Sequence, residues 1–191
     1  SPVPGCSTKA ARAIARLAKE GDSYQATIAK AGGITMIVGL LADGSGDSAM
    51  HRRGSVAGIG RSSPEEAERL KETARALWHL SENNAANQSA IAMEGGIAPL
   101  VGLLSASNLQ DEVHRDAAGA IWSLAAAPAN QVAIAAANGI APLVALLSGQ
   151  SSALAKDTAA GALCVLAAHP DNRVAIAKAG GVPALVALFG A

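Results

Sequence analysis

A ten-residue segment recurs along this chain: GGITMIVGLL from Gly32, GGIAPLVGLL from Gly95, NGIAPLVALL from Asn138 and GGVPALVALF from Gly180. The steps between starts are 63, 43 and 42 residues. A second shared piece stands directly before each copy: QATIAKA, QSAIAME, QVAIAAA and RVAIAKA. A helical unit of about 42 residues cannot bury its own apolar face, so copies must stack on one another; the period points to a solenoid of two- or three-helix repeats.

Local signals divide each unit into three helices. A short first helix follows AAN, PAN or PDN, where Asn87, Asn130 or Asn172 can accept hydrogen bonds from free amides at the helix start. A Gly pair, or Asn138-Gly139, supplies the left-handed turn that ends it. The second helix, IAPLVGLLS and its relatives, carries Pro99, Pro142 or Pro183 in its first turn, where a missing amide hydrogen costs little. The third is longest: SPEEAERLKETARALWHLSE, DEVHRDAAGAIWSLAAA and SALAKDTAAGALCVLAAH. Ser63, Pro64 and Glu66 predict its capped start in the first of these units.

Composition agrees. Half of the residues are apolar but only 2% are aromatic, which suits helices packed closely through Ala, Leu, Ile and Val. Fifteen basic and fifteen acidic residues cancel, so no global positive field attracts nucleic acid. Cys6 and Cys164 make neither a metal spacing nor a disulfide framework, which favours an intracellular, cytoplasmic setting. Residues Ala117 to Ala155 carry no charge, yet Pro128, Asn130, Gln131, Asn138 and Pro142 cut them into pieces shorter than the ~20 apolar residues of a membrane span.

The three-helix unit, with its glycine turn, its IAPLVxLL helix and its AxxA[IL]WxL helix in order several times over, resembles the armadillo repeat, closest in style to the vacuolar and plant-type members. The resemblance implies an all-α, right-handed superhelix whose third helices line a concave, protein-binding face. The expected organisation is a single domain over 1–191: the third helix of a preceding repeat at 7–20, repeat one at 23–82 with an insert at 43–62, repeat two at 86–127, repeat three at 129–168 and a partial repeat four at 171–191. About four repeats, incomplete at both ends and without evident caps, predict a trimmed piece or ends covered by a partner.

On the third helix Leu80 lies about 200° from Trp78, so if Leu80, Leu124 and Leu166 face the core the tryptophans face away from it. Residues at helical spacing then share the tryptophan face: Lys71, Ala74, Trp78 and Glu82, then Arg115, Ala118, Trp122 and Ala126, then Asp157, Ala160, Cys164 and Ala168, with Arg75 beside the first set. The candidate partner-binding residues are Lys71, Arg75, Trp78, Glu82, Arg115, Trp122 and Asp157. The nuclear-import adaptors of the family grip a basic peptide with a Trp and an Asn four residues later; here Glu82, Ala126 and Ala168 hold the Asn position, which argues against a receptor of that kind. Packing is the competing role for both tryptophans, and Cys164 reads as a small buried hydrophobe.

The insert ADGSGDSAMHRRGSVAGIGRSS reads as a loop or as a third helix degraded by Gly54, Gly58 and Gly60. RRGSV within it resembles a basophilic kinase site with Ser55 as acceptor. GSVAGIGRS fails as a phosphate loop, having Arg61 where Lys is needed and no preceding strand. His51, His79, His114 and His169 are scattered, and no catalytic, metal or cofactor motif is present, so the expected chain is neither an enzyme nor a small-molecule binder. The expected function is a protein-interaction module that binds a peptide or helix along the third helices. The alternatives are a structural subunit of a large assembly, docked through its ends and an apolar convex strip at Met93 and Ala136, and the substrate-recruiting part of a ubiquitin ligase or trafficking scaffold.

Overall fold

The computed structural model describes residues 5–45 and 63–190, all of whose regular structure is helical. The helices are α1 (Cys6–Lys19), α2 (Asp22–Lys30), α3 (Gly33–Ser45), α4 (Pro64–Ser81), α5 (Ala85–Met93), α6 (Ile97–Ser105), α7 (Asp111–Leu124), α8 (Pro128–Ala136), α9 (Ile140–Ser148), α10 (Ala153–Leu166), α11 (Pro170–Lys178) and α12 (Gly181–Ala187), followed by a 3-10 turn at Leu188–Gly190. The choice between loop and degraded helix for Met50 to Ile59, and the Ser55 site, lie outside the described residues.

The chain is a solenoid. The long third helices α1, α4, α7 and α10 lie side by side in chain order, and the second helices α3, α6 and α9 pack behind α4, α7 and α10. Alanine makes the close approach of the third helices possible: Ala74, Ala76, Ala117, Ala118, Ala120, Ala159 and Ala162 are all fully buried. Leu77, Leu80, Leu100, Ile121, Leu124, Leu143, Leu163 and Leu166 then fill one continuous core that runs through every repeat. No single helix among the described residues is long and apolar enough to cross a membrane.

The helix ends follow from local chemistry. Ser63 Oγ accepts from the Glu66 amide at 3.1 Å, with Pro64 at the first helical position of α4. Between α5 and α6, Gly95 adopts φ 81° while the Gly96 amide donates to the Ile91 carbonyl at 2.9 Å. Asn138 takes the same left-handed turn at φ 61°.

The repeated asparagines do something other than cap. Asn87, Asn130 and Asn172 are buried inside the first turn of α5, α8 and α11, and each donates from Nδ2 to the end of the preceding third helix: to Leu80 O at 2.7 Å, Leu124 O at 3.0 Å and Leu166 O at 3.1 Å. The expectation that they accept from free amides is therefore corrected. Asn84 accepts the Asn87 amide of α5 at 3.0 Å, the Asn130 amide of α8 donates to Ala127 O at 2.9 Å, and at the start of α11 His169 Nδ1 accepts from the Asp171 amide at 3.3 Å. Asn130 and Asn172 also reach back one repeat, to Gln88 O and Gln131 O, both at 3.2 Å. The residue after each asparagine acts alike: Gln88 donates to Ser81 O at 3.0 Å, Gln131 to Ala125 O at 3.0 Å and Arg173 to Ala167 O at 3.1 Å. Gln25 is the earliest member, donating to His79 O at 2.8 Å and so joining α2 to the end of α4.

Substituting Asn130 by Ala removes two buried hydrogen bonds, to Leu124 O and to Gln88 O. The expected loss is about 1–3 kcal/mol in chemical denaturation, with helical content unchanged in the folded baseline.

Candidate functional site

Consecutive third helices meet in a fixed register. Arg12, Arg75, Gly119 and Gly161 occupy equivalent positions, and one turn further stand Ala15, Trp78, Trp122 and Cys164. Each indole lies against the glycine of the next third helix. A Cβ built on Gly161 would come within 2.8 Å of Trp122 Cε2, and one on Gly119 would overlap the Trp78 ring even more closely. The glycines are thus notches that let a large flat side chain lie down on the neighbouring backbone.

The tryptophans are held but not enclosed. Trp122 keeps 38% of its surface exposed, and Trp78 is half-buried, stacked on the His79 ring with centroids 5.5 Å apart. Between them opens a pocket of about 310 Å³, lined mainly by Trp78, Glu82, Asn83, Trp122, Ala126 and Val165. Leu80, Leu124 and Leu166, on the opposite side of the same helices, are fully buried. Ala74 and Ala118, which helical spacing places on the tryptophan side, are fully buried as well, because this side is also the contact between third helices.

Nearer the N-terminus the same register carries charge in place of aromatics. Arg12 donates from Nε to Glu72 at 3.0 Å and lies 2.5 Å from Glu68. One repeat on, Arg75 donates from Nε to Asp116 at 2.9 Å. Each arginine thus reaches a carboxylate on the next third helix, and the ladder ends where Gly119 and Thr158 replace the pair. Arg115 adds a second partner to Asp116 at 2.5 Å. Asp116 is completely buried, and that burial raises its pKa against the opposing pull of Arg115 and Arg75. Glu72 is also buried, and its Oε2 has no hydrogen-bond partner among the described residues. Glu68 goes the other way: its hydrogen bond from Lys71 holds the carboxyl below its ordinary value. A second pocket of about 500 Å³ is bounded by Arg12, Ala15, Arg16, Lys19, Glu72 and Arg75, with Glu68 at its edge.

The candidate residues therefore fall into different surroundings. Trp78, Glu82 and Trp122 share one pocket. Lys71 is paired with Glu68 at 2.5 Å, while Arg75 and Arg115 converge on Asp116. Asp157 is exposed on α10 and forms no ion pair among the described residues. Cys164, read from the sequence as buried, is exposed because it stands at the tryptophan position of the third helix. Helical spacing alone passed over Glu72, Asp116, Gly119 and Gly161. The one signal for them was covariation along the chain: glycine follows each tryptophan-bearing repeat, and an acid follows each arginine-bearing one.

Residues 84–126 match the model of the Armadillo/beta-catenin-like repeat. Among solved structures, an engineered protein superimposes with a TM-score of 0.77 at 32% identity, covering 95% of this chain and 65% of the other. A designed armadillo repeat protein in complex with the peptide (KR)4 gives 0.75 at 22% identity, covering 96% of this chain and 67% of that one. A computationally designed armadillo repeat protein for modular peptide recognition gives 0.75 at 23%, covering 95% and 67%. The chain thus spans about two thirds of the length of these structures, and no curated protein matches it.

Two outcomes follow from this geometry. Gly119→Val should lift the Trp78 ring off α7, lowering stability by about 1–3 kcal/mol and shifting tryptophan emission to the red. For Asp116 the sign is set by its raised pKa: the folded state holds the proton more tightly than the unfolded chain, whose ordinary value is 3.8. Its contribution is fully present below that value and is lost as pH rises through the folded one. Wild type should therefore gain stability relative to Asp116→Asn as pH falls through this window, measured by denaturant titration at several pH values.

Proposed function

Since residues 84–126 match the armadillo-repeat model and the chain superimposes on designed armadillo repeat proteins, we propose that the furrow along its third helices binds an extended segment or a helix of another protein, without catalysis. The observation that carries this reading is the pair of indoles. Trp78 and Trp122 offer open faces to one pocket while Gly119 and Gly161 fix their orientation. Rings locked before binding lose little rotamer entropy when a ligand arrives, and large flat side chains of this type dominate binding energy where proteins meet.

The surroundings fit a peptide better than a small molecule. The pocket's lining combines aromatic and aliphatic groups, Trp78, Trp122, Ala126 and Val165, with polar ones, Glu82, Asn83 and Ser123, that can meet a peptide backbone. A structural relative of the same fold holds a peptide, which supports the reading at the level of the fold. Asp157, exposed on α10, extends the surface as a polar contact.

The test compares wild type with Trp78→Ala plus Trp122→Ala. Partners identified by affinity capture with wild type should be lost with the double variant, and a purified partner should bind it at least about tenfold more weakly by calorimetry. Unchanged affinity in a double variant with native circular dichroism would remove the proposal.

A further inference from the structure

The furrow is chemically lopsided, and resting on its reading as a peptide site we infer that it selects a protein segment carrying carboxylates at one end and a bulky apolar side chain about four residues away. The asymmetry lies in the first third helix. Lys9, Arg12, Arg16 and Lys19 follow one another at three- and four-residue steps, so they form a single basic row along α1. Arg12 is engaged by Glu68 and Glu72 of α4. Arg16 and Lys19 are exposed on the wall of the 500 Å³ pocket and make no ion pair among the described residues.

The rest of the furrow offers nothing similar. On α4 and α7, Lys71, Arg75 and Arg115 are neutralised by Glu68, Glu72 and Asp116. At the equivalent places on α10 stand Asp157, Thr158 and Gly161. Among the described residues that line the furrow, the uncompensated positive charge is therefore confined to the α1 end, and an incoming carboxylate gains two cations there without displacing an existing partner. A basic side chain at that place would meet the unpaired Arg16 and Lys19, while Glu68 and Glu72 on the same wall are already engaged by Arg12, Lys71 and Arg75.

Spacing follows from the two pockets. One lies between α1 and α4, the other between α4 and α7. Adjacent helices are separated by about 10 Å, and Arg16 and Lys19 hold the register of His79 and Glu82, level with the indole pocket. From α1 to the space between α4 and α7 is one and a half such spacings, about 15 Å, roughly four residues of extended chain. The indole pocket, lined by both tryptophans, Ala126 and Val165, takes the apolar side chain.

The probes are fluorescein-labelled twelve-residue peptides read by anisotropy: one with three Asp or Glu followed by Leu or Phe at the four-residue spacing, the same composition with that residue moved next to the acids, and the basic peptide (KR)4. The spaced acidic peptide should bind at least about tenfold more tightly than either other peptide, with an affinity that falls as salt rises. Arg16→Glu with Lys19→Glu, both on exposed surface, should abolish its advantage; Trp78→Ala with Trp122→Ala should weaken it through the apolar subsite. Equal or tighter binding of (KR)4 that is lost in the tryptophan variant would overturn the charge inference and leave the groove reading standing. Equal binding of the two acidic peptides would overturn the spacing, and no binding of any peptide would overturn both readings.

Discussion

Consecutive third helices approach so closely that alanine and glycine are nearly all that fits between them. Ala74, Ala118 and Ala159 are buried at or near these contacts, and Gly119 and Gly161 give up their side chains altogether to a neighbouring ring. Short side chains bring the helix backbones together, which places the larger leucines and isoleucines in the space behind, against the second helices. The row of third helices is thereby continuous, and a continuous row is what leaves a long furrow on its open side.

Tight apolar packing would tolerate sliding of one repeat over another, since leucines are interchangeable in size and lack direction. The amide staples supply the direction. Asn130 and Asn172 each hold a carbonyl at the end of a third helix and another in the previous repeat, so a shift of one repeat would break bonds to groups that have no water to replace them. The arginine to carboxylate ladder adds a second, electrostatic register at the α1 end. Where that ladder stops, the tryptophan and glycine pairs begin, so the same helix positions are used first for charge and then for shape.

This exchange explains how a repetitive scaffold acquires an individual surface. The repeated segments build the core and differ little from one repeat to the next. Position by position along the third helices, Ala15, Trp78, Trp122 and Cys164 present a small, two large and one exposed polarisable side chain. On the next third helix, Gly119 makes room for Trp78 and Gly161 for Trp122. Packing and the make-up of the open surface are thus set at adjacent positions, with each indole contributing to both.

Read alone, the chain fixes the period, the three helices of each unit, the glycine turns and the Ser63 cap, because all of these are set by interactions within a few residues of one another. It also separates the buried Leu80, Leu124 and Leu166 from the tryptophans, since helical geometry is itself local. What it leaves undecided is which polar groups are spent inside the fold. Asn87, Asn130 and Asn172 pass for caps until the preceding helix is seen to end beside them, and Arg75 and Arg115 pass for free contacts until Asp116 is found beneath them, buried from solvent. Asn130 and Gln88, Asn172 and Gln131, and Arg75 and Asp116 stand 41 or 42 residues apart in the chain and meet only through stacking, so whether such a group is bound or available is decided by tertiary structure.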